Sequence, residues 1–292
     1  MTVFEWLQRG QMILTAAGVP LPQLDTEVLL MDLLGVDRSW LHAHPEQELT
    51  DEQLAKLNAQ IERRTKHEPL AYIRGKQEFY GRDFYVSPDT LTPRPETEMM
   101  IEMVLSSEFI AHSKGPAAFL DIGTGSGCII ITLALELALS QNLRLRTQNF
   151  IGLDVSQKAL ETAEKNAQNL KAEVTLQYFD LTKDSLSELR TQNSELVVLA
   201  NLPYVPNDFH INLAASHEPP FAIFGGDDGL DYYRLLFQQL AQSQNSEPRT
   251  RNCTIFTESL PPQHEQLAEI AKSHGFVLQK TQDFIQQFTL FI

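Results

Sequence analysis

Ala117-Ala-Phe-Leu-Asp121-Ile-Gly123-Thr124-Gly125-Ser126-Gly127-Cys128 decides how this chain folds. Four apolar residues (Ala117 to Leu120) read as a strand, three alternating glycines follow, and an apolar helical run opens at Cys128 and continues to Leu139. Between a strand and a helix, alternating glycines let the backbone come close to a nucleotide-like ligand. Around this segment strands and helices alternate, without an internal repeat. Candidate strands fall at 117–122, 149–154, 174–178, 196–200, 253–258 and 285–291, with helices at 128–140, 156–170, 229–243 and 263–274. Such alternation predicts an α/β, doubly wound sheet with a mainly parallel core. The last apolar segment, Phe284 to Ile292, has no helix after it and is expected to close the sheet as an antiparallel strand.

Upstream of residue 69 no strand pattern occurs. Val3, Trp6, Leu7, Gly10, Ile13, Leu14 and Ala17 recur at helical spacing behind a Thr2/Glu5 capping box, and Gly18 with Pro20 stops the run. A second run carries Leu24, Val28, Met31 and Leu34; a third starts at Thr50, carries Leu54, Leu57 and Ile61, and ends in Arg63, Arg64 and Lys66, which complement a helix C-terminus. This predicts a small helical bundle over 1–75. Phe79-Tyr-Gly-Arg-Asp-Phe-Tyr-Val86 then places aromatics around a glycine turn, the signature of a hairpin. Thr92-Pro-Arg-Pro95 is read as non-helical and Glu96 to Leu105 as a helix, so 76–95 is taken as a hairpin linker and 96–292 as the larger domain.

The chain has 292 residues, enough for both domains, and a net charge of −15, which argues against general affinity for nucleic acid. Cys128 and Cys253 sit in apolar runs, so no disulfide framework is expected and a reducing cytoplasm fits. No apolar stretch is long enough for a membrane span, and the N-terminus lacks the pattern of a signal peptide. The histidines show no metal-ligand spacing.

Two constellations carry chemistry. A dinucleotide fingerprint would need glycine at position 128, where Cys128 stands; Gly-x-Gly-x-Gly behind Asp121 fits S-adenosyl-L-methionine better. Asp154, ending Ile151-Gly-Leu-Asp154, is then placed to hold the ribose hydroxyls. Asp180 has two readings, a contact to the adenine amino group or a helix cap, and Leu181 is expected to pack on the ring. The second constellation, Asn201-Leu202-Pro203-Tyr204, follows the apolar run Leu196 to Ala200. An amide or exocyclic amine nitrogen is a poor nucleophile because its lone pair is delocalised. The Asn201 side-chain oxygen and the Leu202 carbonyl can take both of its N–H groups and turn the lone pair toward a methyl donor. Pro203 stiffens the turn and Tyr204 offers an aromatic wall.

Together with Pro69-Leu-Ala-Tyr-Ile-Arg-Gly75, Glu78-Phe-Tyr-Gly-Arg-Asp-Phe84, Pro93-Arg-Pro-Glu-Thr-Glu98 and the stretch Glu218-Pro219 through Gly225-Gly-Asp-Asp-Gly229, these motifs resemble the bacterial release-factor glutamine N5-methyltransferases over most of the chain. The resemblance implies a Rossmann-like class I S-adenosylmethionine-dependent methyltransferase domain behind an N-terminal helical domain that docks the substrate. It also implies S-adenosyl-L-homocysteine as product and class 1 peptide chain release factors as partners, with Arg94 in the most diagnostic segment expected to contact them. The family's usual Asn-Pro-Pro-Tyr is Asn-Leu-Pro-Tyr here, and Leu202 keeps the carbonyl. That variant also resembles adenine dimethyltransferases acting on ribosomal RNA, so the alternative at this point is adenine-N6 methylation of RNA or DNA. A binding module without turnover is a third reading. The basic residues Arg63, Arg64, Lys66, Arg74, Lys76, Arg82 and Arg94 are open between solvated charges and a docking face.

Overall fold

The computed structural model describes residues 1–107, 117–139, 149–188, 195–243 and 252–291. Position 140, read as the end of a helix, and most of the long connection after it lie outside the described residues. The chain divides into two compact units, Met1–Lys76 with Ile211–His217, and Gln77–His210 with Glu218–Ile292.

The first unit is helical: α1 (Val3–Ala16), α2 (Pro22–Leu34), α3 (Arg38–Ala43), α4 (Asp51–Thr65) and α5 (Leu70–Arg74). Capping boxes at Thr2/Glu5 and Thr50/Gln53 start α1 and α4. Trp6, Leu14, Leu29, Leu30, Leu57 and Ile61 form its core. On α2 the buried face differs from the expected stripe. Leu24 is exposed, Val28, Met31 and Leu34 are only half-buried, and Asp25, Thr26, Glu27, Leu29 and Leu30 turn inward. Apolar and polar residues are spread around this helix, so its periodicity does not select a face; the Asp25–Arg64 ion pair at 2.7 Å does. Gly10 leaves the room, since a Cβ there would lie 2.8 Å from Thr26 Cγ2.

The second unit opens with the hairpin β1 (Lys76–Phe79) and β2 (Arg82–Tyr85). Tyr80 and Gly81, both at positive φ, form its two-residue turn. The hairpin is anchored in this unit's core, because Phe79 and Phe84 are buried with Met100, Phe119 and Ile130. A 3-10 turn at Pro95–Thr97 leads into α6 (Glu98–Leu105). The turn thus begins one residue inside the stretch read as non-helical; proline is tolerated in a first turn because its missing N–H would have no partner there.

The remaining elements are β3 (Ala117–Ile122), α7 (Cys128–Leu139), β4 (Asn149–Asp154), α8 (Gln157–Leu170), β5 (Thr175–Tyr178), β6 (Glu195–Ala200), α9 (Asp231–Ser243), β7 (Asn252–Glu258), α10 (His264–Ser273), β8 (Val277–Gln282) and β9 (Ile285–Phe291). The sheet runs β5-β4-β3-β6-β7-β9-β8. Strands β5 to β7 are parallel, and β9 runs antiparallel to both β7 and β8. This is the expected Rossmann-like α/β fold with its antiparallel closing strand. Strand β8 was not expected from the sequence. Every residue of the central β3 is buried, and the sheet separates two apolar layers. Among the described residues no helix is long and apolar enough to cross a membrane.

Candidate active site

From β3 the chain goes to β4 and β5 on one side, then returns through β6 to the other, so the order reverses between β3 and β6. Open α/β sheets bind ligands at the carboxyl edge of such a reversal. Here the register pairs Ile122 with Ala200 and Ile122 with Leu153, and Ala200 with Thr257. The residues that follow these pairs, Gly123, Asp154, Asn201 and Glu258, therefore stand side by side at one edge. A cavity of about 560 Å³ opens there, within the range of small-molecule sites.

Gly123 and Gly125 line that cavity with φ of +77° and +56°. Gly123 lies against Leu202, whose Cδ2 would be 3.3 Å from a Cβ on the glycine. Gly127 is turned away: a Cβ there would meet Ile131 at 2.7 Å and Ala163 at 3.1 Å, so this glycine lets α8 close on the loop. Asp121 is fully buried beneath the loop, where it accepts a 2.7 Å hydrogen bond from Thr124 Oγ1. Burial pushes its carboxyl up to about 7, against the Thr124 hydrogen bond and with help from the Asp154 charge. Ser126 is also buried, and its carbonyl accepts from Asn166 Nδ2 at 2.9 Å. Asp121, Thr124, Ser126 and Gly127 thus brace the loop, and Gly123 and Gly125 present its open face.

Asp154 reaches the cavity with its Oδ2 accepting from Gly125 N and its Oδ1 from Ser156 N, both at 2.8 Å. Burial raises its pKa, opposed by those backbone donors. Asp180 lines the cavity while acting as a turn cap: Oδ1 accepts from Thr182 N and Oγ1, and Oδ2 pairs with Lys183 at 2.7 Å. The Lys183 ammonium, seconded by Thr182, holds it down at about 2. Leu181 is buried on the same wall. These residues fit S-adenosylmethionine: glycines without side chains on one side, a carboxylate with unused lone pairs at the end of β4, and an apolar wall.

Asn201, Leu202 and Pro203 also line the cavity, facing the glycine loop. Asn201 Nδ2 donates to Thr97 Oγ1 at 3.1 Å, which leaves Oδ1 for another partner. Leu202 N–H donates to the Tyr233 hydroxyl. Behind the turn, Gly225 and Gly229 press directly on the Pro203 and Tyr204 carbonyls, which a Cβ would meet at 2.1 and 2.0 Å. Gln263 Nε2 bridges the Tyr204 and Asp228 carbonyls at 2.8 Å each. The Tyr204 ring, expected as a wall, instead turns its hydroxyl to Glu258 Oε1 at 3.1 Å. The aromatic lining comes from Phe179, Phe221 and Tyr232.

The Pro93–Glu98 segment consists largely of tethers. Thr92 N donates to Glu218 Oε1 at 3.2 Å, and the Arg94 guanidinium pairs with the same buried carboxylate. Thr97 holds Asn201, and Glu98 accepts from Tyr80 N at 2.9 Å in the hairpin turn. The other basic residues are paired as well: Arg63 with Glu68, Arg64 with Asp25, Lys66 with Glu62, Arg74 and Lys76 with Asp32, and Arg82 with Glu136. Ion-paired charges of this kind favour the solvated-charge reading over a dedicated docking face. Cys128 is buried and its thiol is pushed up to about 12 by desolvation, as suits a packing residue. Asp89, Thr90 and Leu91 line the cavity without having been singled out in the sequence.

Comparison with known proteins agrees with this geometry. Residues 5–75 match the family model described as the PrmC N-terminal domain, and residues 113–210 match a methyltransferase domain. A release factor glutamine methyltransferase of Koribacter versatilis is 41% identical, the match covering 78% of this chain and 77% of that protein. The Geobacter sulfurreducens protein of the same name is 39% identical over 80% and 76%. That of Agrobacterium fabrum is 34% identical over 91% and 87%. In fold, the catalytic domain of hMettl16, solved with MAT2A 3'UTR hairpin 1, is similar with a TM-score of 0.50 at 14% identity, over 84% of this chain and 82% of that one.

Proposed function

The chain belongs to the release factor glutamine methyltransferase family, and on that premise we propose that it methylates the side-chain amide nitrogen (N5) of glutamine in the Gly-Gly-Gln motif of class 1 peptide chain release factors, modulating translation termination in the cytoplasm. One observation carries the reading: the Ile122–Ala200 register sets the glycine loop and Asn201 next to each other across a single cavity. S-adenosylmethionine, when bound, supplies an electrophilic methyl group. Gly123, Gly125, Asp154, Asp180 and Leu181 are the residues placed to hold it.

Asn201 Oδ1 and the Leu202 carbonyl then accept the two N–H groups of the substrate amide and aim its lone pair. Pro203 and the packed glycines behind it hold both acceptors still, so orientation replaces a strong base. Phe221 and Tyr232 offer apolar faces to the planar amide, and Arg94, through Glu218, steadies the segment that carries Thr97. Helices α1 to α5 are assigned to docking the protein substrate. The names of the relatives and the acidic charge both support glutamine over adenine.

The test is mass spectrometry on release factor incubated with enzyme and donor, with Gln or Ala in the Gly-Gly-Gln motif. One added methyl group on the Gln form alone is expected. Modification of the Ala form, or transfer to RNA or DNA in its place, overturns the reading.

A further inference from the structure

Asp89, Thr90 and Leu91 line the cavity from the chain that leaves the hairpin, and the binding described so far gives them no task. Gly123 and Gly125 line it from the loop after β3. Two walls drawn from separate parts of the chain hold a ligand between them only if something fixes one to the other.

Asn166 on α8 makes that connection, at 1% exposure. Its Oδ1 accepts from the Tyr85 N–H at 2.7 Å. Its Nδ2 donates to the Tyr85 carbonyl and to the Ser126 carbonyl, both at 2.9 Å. A backbone N–H only donates and a carbonyl only accepts, so all three partners demand the same orientation of the amide. Tyr85 is the last residue of β2, and Ser126 stands between Gly125 and Gly127 in the loop.

The same helix supports both walls at other points. Ala163 lies under Gly127, where a Cβ would come within 3.1 Å of it, and Lys158 Nζ pairs with Asp89 Oδ1 at 2.9 Å. At the far end of the hairpin return, Thr92 N–H donates to Glu218 Oε1 at 3.2 Å. In between, Thr90 N–H closes a turn onto the Ser87 carbonyl at 3.0 Å. The return is thus tied down on either side of the residues that line the cavity.

We propose that Asn166 is a positioning residue that fixes the glycine loop and the Asp89–Leu91 segment to each other, so that the hairpin return is a working wall of the S-adenosylmethionine site. Asn166 acts through the backbone of Tyr85 and Ser126 and not on the ligand. A wall already in place need not be ordered when the ligand binds, which favours affinity. This deepens the reading of the cavity as the methyl-donor site and rests on it.

The test is calorimetry of S-adenosylmethionine binding to wild type, Asn166→Ala, Asn166→Asp and Ala167→Gly, with hydrogen exchange followed by mass spectrometry. Asn166→Ala should weaken binding by about 10-fold, because the ligand must then order the loosened walls. Asn166→Asp keeps an acceptor for the Tyr85 N–H, loses both N–H donors and should fall with it. Ala167→Gly weakens the helix at the next residue without removing a hydrogen-bonding side chain, and its affinity should stay within about twofold. At saturating S-adenosylmethionine the single-turnover rate of Asn166→Ala should stay within about threefold of wild type, since the Asn201 turn is untouched. In wild type, ligand should slow amide exchange over residues 86–92, and in Asn166→Ala at equal occupancy that protection should shrink.

Undiminished affinity in either Asn166 variant would overturn the positioning role, as would an equal loss in Ala167→Gly. Absence of ligand protection over 86–92 in wild type that binds S-adenosylmethionine would overturn it too, and this measurement decides even if the Asn166 variants fail to fold. Failure of wild type to bind S-adenosylmethionine at all would instead sink the reading of the cavity beneath it.

Discussion

The backbone N–H of Leu202 donates to the hydroxyl of Tyr233 at 3.2 Å. Tyr233 is fully buried, and its hydroxyl also faces the Ala200 carbonyl at 3.2 Å, the Leu202 carbonyl at 3.5 Å and the Glu258 carbonyl. One oxygen on α9 thus pins the end of β6, the end of β7 and the turn between them and the cavity. Burial, and then the Glu258 charge, push the phenol well above its usual range, so it stays a neutral donor.

That contact changes the expected behaviour of a substitution toward the family's usual motif. If only the Leu202 carbonyl mattered, Leu202→Pro would be neutral. In the structure proline removes an N–H donor from a buried hydroxyl and withdraws a side chain that is 5% exposed and packed on Gly123. We expect Leu202→Pro to cost about 1–3 kcal/mol of stability, with kcat reduced less than tenfold because the carbonyl remains. Urea unfolding and single-turnover rates check this; unchanged stability would show that Tyr233 finds an equivalent partner.

For the donor site, Asp154→Asn keeps the shape and removes the charge. Affinity for S-adenosylmethionine should fall by about 1.5–3 kcal/mol for a lost charge-assisted hydrogen bond. Calorimetry decides, and undiminished affinity in a folded variant would remove Asp154 from the donor site.

In the first unit, neighbouring arginines should behave differently. Arg64 and Asp25 have side chains only 10% and 6% exposed, whereas the Arg63 side chain is 45% exposed. Arg64→Ala should cost about 3–5 kcal/mol by stranding a buried carboxylate, and Arg63→Ala no more than about 1 kcal/mol. Chemical denaturation measures both. Equal losses would contradict the assignment. Charge reversal at both positions therefore reports folding rather than docking.

Asp121 should leave a mark on stability against pH. Its carboxyl titrates near 4 in the unfolded chain and at about 7 in the folded one. A raised folded pKa gives stability that is full below pH 4 and is lost as pH climbs through 7. Asp121→Asn cannot ionise and keeps an acceptor for Thr124. Its stability relative to wild type should rise between pH 4 and 7 by up to about 1.4 kcal/mol per pH unit. Asp154 and Glu258 shift in the same direction and cancel in the comparison. Unfolding curves for the two proteins that differ by a constant at every pH would refute the shift.

What the sequence could and could not show follows the range of each interaction. The glycine loop and the Asn201–Tyr204 turn were legible because each sits on a strand end in one short stretch, and the core strands were found within a residue of their observed limits. Strand β8 was not, because its residues are exposed up to the last and leave no buried face to read. Helices α3 and α5 are too short for periodicity to register. Thr97, Tyr233 and Glu258 meet the site across 104, 31 and 54 residues of chain. The sheet register brings Glu258 to the site, and the packing of the 3-10 turn and of α9 brings Thr97 and Tyr233. A lone carboxylate closing an apolar strand at Glu258 was the one local hint.

The return of Ile211–His217 to the helical unit, where His217 Nε2 meets the Lys66 carbonyl at 2.9 Å, bears on how such a protein can be cut or exchanged. The helical unit is not one continuous stretch of sequence. A truncation starting at residue 77 would carry away five helices and leave behind a seven-residue orphan whose partners are gone. In the sequence that segment falls between the Asn201 turn and the glycines that press on it. Swapping the helices of one homologue onto the body of another therefore demands transplanting both pieces together, a constraint that modules joined end to end escape.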